Sequence, residues 1–113
     1  MSPSDPSTTP LSGRKLGLML ACSPTSPKFH HGVLLAEEAL KQGLRVYLYC
    51  IDDAVAGSGD ERIRHLIDAG AHLFACAYGA QQRDLPRDDA ATWSGLSTLS
   101  DIIAGTDRFL CFN

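Results

Sequence analysis

The chain has no block of basic residues. Its 10 Lys and Arg stand against 13 Asp and Glu, a net charge of −3, which argues against a dedicated nucleic-acid-binding surface. It has no long hydrophobic run either. The longest clean one, Leu16 to Cys22, is far too short to cross a bilayer. No C-x-x-C pair occurs, so neither a zinc knuckle nor a thioredoxin-type redox motif is signalled. There is no G-x-G-x-x-G and no Walker pattern, and there are no internal repeats. Residues 1–13 are rich in Ser, Pro and Thr and lack the basic start and apolar core of a secretory signal. Such a segment buries too little surface to offset its ordering entropy, so a floppy tail is expected over 1–13.

The remaining sequence has the makings of one domain. At 113 residues, 44% hydrophobic and 20% charged, the chain excludes wholesale disorder and fits a single unit over 14–113. It holds four cysteines, Cys22, Cys50, Cys76 and Cys111. A chain with a full apolar core does not need disulfides, so free thiols in a reducing, cytoplasmic setting are expected.

Two kinds of segment alternate after Arg14. Lys15 to Cys22 (KLGLMLAC) has strand length, and the loop SPTSPKFHHG follows it. Val33 to Gln42 has helical spacing, with Val33, Ala36 and Leu40 on one face and Gly43 where a helix end needs positive φ. Leu44 to Ile51 (LRVYLYCI) reads as a second strand and Asp52 to Gly59 as a loop. Ser58 and Glu61 form a capping-box pattern before Ile63, Leu66 and Ile67, and Gly70 ends that helix. His72 to Ala75 is a short third strand running into Cys76. Ala77 to Arg83 gives about two helical turns, and Pro86 with its charged neighbours ends them. Ser94 to Ala104 repeats Leu96, Leu99, Ile102 and Ile103 at helical spacing, and Phe109 to Phe112 is a last strand. Strands alternating with helices predict a three-layer α/β/α domain with a mainly parallel sheet of four to five strands.

Reactive groups in such sheets gather at the carboxyl ends of the strands. Cys76 sits there, ahead of a short helix whose first N–H groups favour thiolate over thiol. Ala77, Gly79 and Ala80 are small and leave room for a partner, and Arg83 would add positive field by folding back. Cys22 is second in line. With His30 and His31 it has the residue types of a zinc site or of a thiol with a His base, but the spacing matches no established ligand pattern, and a His-His pair at a helix start is usually solvated. Cys50 is close to Asp52 and Asp53, whose carboxylates disfavour a thiolate. Cys111, between Leu110 and Phe112, reads as core. His65 reads as surface, and His72 has no evident partner. Ser23, Thr25 and Ser26 supply the hydroxyls of a flavodoxin-like phosphate loop, but Pro24 and Pro27 remove donors. A flavin or nucleotide binder at the strand ends is the weaker reading. No exposed apolar stripe is evident.

The segments HLFACAYGAQQRDLP and WSGLSTLSDIIAGTDRFLCFN resemble the DsrE/DsrF-like family, of the DsrE/TusD type. The matching residues are Cys76, Ala77, Ala80, Gln82 and Arg83, then Ser94, Gly95 and Leu96, then Asp107 and Arg108, with YLYCIDDAV similar to the family's second strand and its exit. Asp84 stands where those relatives tend to have Gly, and Leu85 to Trp93 is shorter than theirs. The resemblance spans Leu16 to Phe112. It implies an intracellular sulfur relay protein, a persulfide-carrying sulfurtransferase that uses Cys76, with Ala77, Gly79, Arg83, Ser94 and Gly95 around it. It implies no metal or organic cofactor. Partners would be sulfur donor and acceptor proteins and further copies of the chain in a trimer or hexamer, with neither nucleic acid nor membrane. Family members without the cysteine serve as structural or regulatory subunits, which makes a non-catalytic assembly subunit the second reading.

Overall fold

Five strands form one parallel sheet in the computed structural model, which describes residues 12–87 and 89–113. In chain order the elements are β1 (Lys15–Leu20), α1 (Pro27–Lys41), β2 (Arg45–Cys50), a 3-10 segment (Asp52–Gly59), α2 (Glu61–Asp68), β3 (His72–Cys76), α3 (Ala77–Gln82), β4 (Thr92–Ser94), α4 (Leu96–Gly105) and β5 (Arg108–Phe112). The strand order is β4-β3-β2-β1-β5. The predicted three-layer α/β/α domain is therefore the observed one, at five strands. Of the expected tail, residues 1–11 lie outside the described residues. Gly13 belongs to the domain, because its N–H donates to Gly43 O at 3.0 Å.

Because side chains alternate along a strand, each strand feeds two cores. Leu16, Leu18 and Leu20 of β1, Val46, Leu48 and Cys50 of β2, and Leu73 and Ala75 of β3 face α1 and α2, where Phe29, Val33, Ala36, Ile63 and Leu66 meet them. Fully burying a side chain of the Leu or Phe kind contributes roughly 1.5–3 kcal/mol, and this layer holds most of those that are fully buried. On the other face Tyr49 and Cys76 pack with Val55, Ala80 and Ile102 beneath α3, α4 and the 3-10 segment.

α1 starts six residues earlier than its periodicity predicts. Ser26 caps it, its hydroxyl accepting from Lys28 N at 3.2 Å, and Pro27 takes the first turn, where its missing N–H has no partner to lose. Gly32 lets the helix lie close on the sheet: a Cβ there would meet Leu20 Cδ2 at 2.6 Å. The predicted Ser58 cap for α2 is not the observed one. Asp60 takes that place, with Oδ1 accepting from Arg62 N at 2.9 Å, while Ser58 is buried within the 3-10 segment that replaces the predicted loop.

Three helices end in the same way. At α1, Gly43 N donates to Leu40 O and Leu44 N to Ala39 O, each at 3.0 Å; at α2, Gly70 and Ala71 repeat the pattern. At α3 the turn residue is Asp84, with φ of 53°, and Leu85 N reaches back to Ala80 O at 2.9 Å. Each is a Schellman turn, whose third position needs the left-handed conformation that Gly adopts freely and Asp tolerates.

Two expectations near the end of the chain are corrected. β4 was not foreseen, and α4 starts at Leu96 rather than Ser94, because Thr92–Ser94 pair with Phe74–Cys76. Cys111 is exposed rather than core. β5 is an edge strand, and Cys111, in register with Met19, points to the α4 face of the sheet beyond the reach of the helix. The start of β5 is tied down more firmly: Asp107 Oδ2 accepts from Lys15 N at 2.7 Å, and Asp107 N donates to Lys15 O at 2.8 Å. That backbone donor, helped by Arg14, holds the Asp107 carboxyl below its ordinary value.

Candidate functional site

Cys76 ends β3 and caps α3. Its Sγ accepts from Gly79 N at 3.3 Å, so the sulfur occupies the position that a Ser or Asp side chain takes at other helix starts. An amide N–H is a stronger partner for an anionic sulfur than for a neutral one. The residue is 6% exposed. Gly79 eases this approach, since a Cβ on it would press on Val55 Cγ2 at 3.0 Å. Val55 and Leu85 pack in the cluster that contains Cys76, and both also line a cavity of about 200 Å3 with Ala56, Ser58, Gly59 and Pro86.

Register brings two further groups to the sulfur. Cys76 is the Cα partner of Ser94 across β3 and β4, and Tyr49 is the partner of Phe74, two residues before Cys76 on the same face. The fully buried Tyr49 donates its hydroxyl proton to Gly95 O at 3.0 Å, with Ser94 O at 3.4 Å. Burial raises the Tyr49 pKa above its ordinary value, and the neighbouring Cys76 raises it further; the Ser94 hydroxyl pulls the other way. Ser94 Oγ is itself shut off from solvent and has no hydrogen-bond partner. Tyr49 was missed in the sequence. Its only signal there was the alternation of Tyr47, Tyr49 and Ile51, which puts all three on one strand face.

The other supporting residues are placed as follows. Ala77 is half-buried, and its carbonyl accepts from Arg87 Nη2 at 3.4 Å. Arg83 folds back along α3 to Gly79 O at 3.4 Å, but its guanidinium pairs with Asp53 Oδ1 at 3.2 Å, which offsets the positive field expected of it. Gly95 caps α4 and receives the Tyr49 hydroxyl.

Cys22, His30 and His31 are not drawn into this cluster. His30 and His31 lie exposed in the first turns of α1, and His30 Nδ1 is 3.3 Å from Arg62 Nη1. Arg62 is held by Asp60, by Pro24 O at 2.8 Å and by the face of Phe29, 4.9 Å from its ring centre. The Asp60 carboxyl is pulled below its ordinary value by that guanidinium. Cys22 is half-buried against the α1 and α2 layer. Among the described residues no group of three or more His, Cys, Asp or Glu is arranged to hold a metal. Ser23 and Thr25 bond to each other at 2.9 Å and Ser26 caps its own helix, so these hydroxyls are engaged within the loop. Cys50 is fully buried, and its thiol is pushed up to about 12 by burial and then by Cys22. Its opponent is the hydrocarbon core rather than the aspartates. His65 is exposed as expected, whereas His72 has a partner, stacking on Tyr47 at 5.0 Å between ring centres. A cavity of about 340 Å3 lined by Tyr47, Phe74, Ile102 and Thr106 lies toward the amino half of the sheet, away from the carboxyl ends of the strands, where the flavin reading needs one.

No protein-family model matches the chain, and no curated protein does. The crystal structure of the ychN protein from E. coli is similar to it, with a TM-score of 0.72 over 88% of this chain and 99% of that one, at 18% sequence identity. That likeness shows a fold shared by the two chains. Among the described residues, no helix is long and apolar enough to cross a membrane.

Proposed function

We propose that the chain carries sulfur as a persulfide on Cys76 within a sulfur relay. The observation that carries this reading is the Gly79 N–H aimed at Cys76 Sγ at 3.3 Å, at the carboxyl end of a strand in a DsrE-like fold. In the loading step the Cys76 thiolate attacks the outer sulfur of a donor persulfide. The new S–S bond forms as the donor's own S–S bond breaks, the donor leaves as a thiolate, and the proton of the outer sulfur goes to solvent. Hand-off repeats the step with Cys76 as the leaving thiolate. Neither step needs a metal or an external oxidant. The reading places the chain in a reducing, cytoplasmic setting, with protein donors and acceptors. It also assembles the chain into trimers or hexamers, for which Leu96 and Ile103, two turns apart on α4 and 63% and 49% exposed, supply an apolar face.

The 6% exposure of Cys76 favours a competing reading, an assembly subunit in which the thiol is merely packed. Intact-mass measurement after treatment with inorganic polysulfide separates the two. The relay reading expects a gain of one sulfur that is lost in Cys76→Ser and kept in Cys22→Ser. No gain at Cys76, together with a thiol inert to alkylation in the native state, overturns it.

A further inference from the structure

Among the described residues, Ser94 Oγ is a buried hydroxyl that reaches hydrogen-bond geometry with no neighbour. Buried polar groups are almost always partnered, so this one calls for a reason. It stands in register with Cys76 on the adjacent strand and on the same face of the sheet. Tyr49, from the strand on the other side of β3, spends its only proton on Gly95 O at 3.0 Å. The phenol thereby pins the Ser94–Gly95 turn beside the sulfur, and the Ser94 hydroxyl lies near the phenol oxygen without reaching hydrogen-bond geometry with it.

We propose that Ser94 Oγ–H is the donor that holds the outer sulfur of a Cys76 persulfide, and that Tyr49 is the positioning residue that keeps Ser94 there. The inference rests on the persulfide reading above and deepens it. The inner sulfur keeps Gly79 N–H; the outer sulfur, an anion once its proton has left, receives the serine proton as a hydrogen bond. No bond beyond the S–S exchange already described is made or broken. A hydrogen bond to a charged group is one of the stronger kinds, so its loss is expected to shift a loading equilibrium about ten-fold.

The test equilibrates the full chain with a low-molecular-weight alkyl persulfide and its thiol, then reads the fraction of Cys76 carrying extra sulfur by intact mass across a pH series. Ser94→Ala is expected to lower that fraction about ten-fold and to move the ionisation of the bound persulfide to higher pH. Ser94→Thr, which keeps the hydroxyl, is expected to restore both, and Tyr49→Phe to fall in between. Thermal stability of Ser94→Ala is expected to equal or exceed that of the native chain, because a buried hydroxyl without a partner costs the fold its desolvation. If Tyr49→Phe does not fold, the serine pair still decides. Native-like loading and an unchanged pH profile in folded Ser94→Ala overturn the inference and leave the persulfide reading standing. Failure of the native chain to load at Cys76 overturns both.

Discussion

Cys50 and Cys76 end neighbouring strands of one sheet and have opposite surroundings. Cys50 points into the apolar layer beneath α1 and α2, against which Cys22 packs, and its thiol is pushed up to about 12. Cys76 points to the other face, among an amide N–H, a phenol and an unpartnered hydroxyl. The carboxyl end of a strand is thus only half of an address. The face completes it, and one residue of register decides the face. The two layers differ in the same sense throughout. One is close-packed and almost wholly apolar, while the other has polar groups in its interior and an α4 that buries Ile102 but leaves Leu96 and Ile103 in solvent.

The sharpest way to break the comparison is to measure native-state alkylation of each cysteine by peptide mapping. The move of the Cys50 thiol from 9.0 to about 12 leaves about a thousand-fold less thiolate near neutral pH than an ordinary cysteine has. Cys50 is therefore expected to label only on unfolding, with Cys76 labelling in the native state and Cys111 fastest. Equal protection of Cys50 and Cys76 would erase the distinction. The same shift carries a sign for stability. Below pH 9 the thiol is protonated in both states; above it the unfolded chain ionises first, so stability falls as pH rises toward 12. Denaturant melts are expected to show that alkaline loss flattened in Cys50→Ala.

Truncation probes the packing of the layers. Leu18→Ala, at a fully buried site between β2 and β5, is expected to lose about 3 kcal/mol in denaturant unfolding. Leu96→Ser on the open side is expected to change stability by less than about 0.5 kcal/mol while lowering the mass seen by light scattering. A large stability loss from Leu96→Ser, with no change in mass, would mean that α4 packs within its own chain. The smallest contrast lies at the helix ends. α1, on the closed side, turns on Gly43, whereas α3, on the Cys76 side, turns on Asp84 at φ of 53°. Asp84→Gly is expected to raise stability by up to about 1 kcal/mol by relieving the left-handed backbone, with no change in Cys76 labelling.

Much of the fold was legible because each main strand is a nearly continuous apolar run and each helix has its own period. Cys76 was legible for the same reason, as the last residue of such a run ahead of small residues. The misreadings have separate physical causes. Pro24 and Pro27 looked like loop, but Pro27 sits in the first turn of α1, where the ring is harmless. β4 is three residues long and carries no period to detect. Cys111 lies between apolar neighbours, yet alternation turns it to an uncovered edge. Tyr49 and the orphaned Ser94 hydroxyl were out of reach because their meeting with Cys76 depends on strand order and register, which local pattern does not encode.

The clamp between Lys15 and Asp107 spans 92 positions of sequence. As the chain emerges from the ribosome, β2 can dock on one side of β1 early, but the opposite flank stays bare until β5 has been made. An uncovered parallel edge of that kind invites pairing with other nascent chains. Premature truncation before Asp107 would therefore leave a sticky fragment rather than a merely shortened domain.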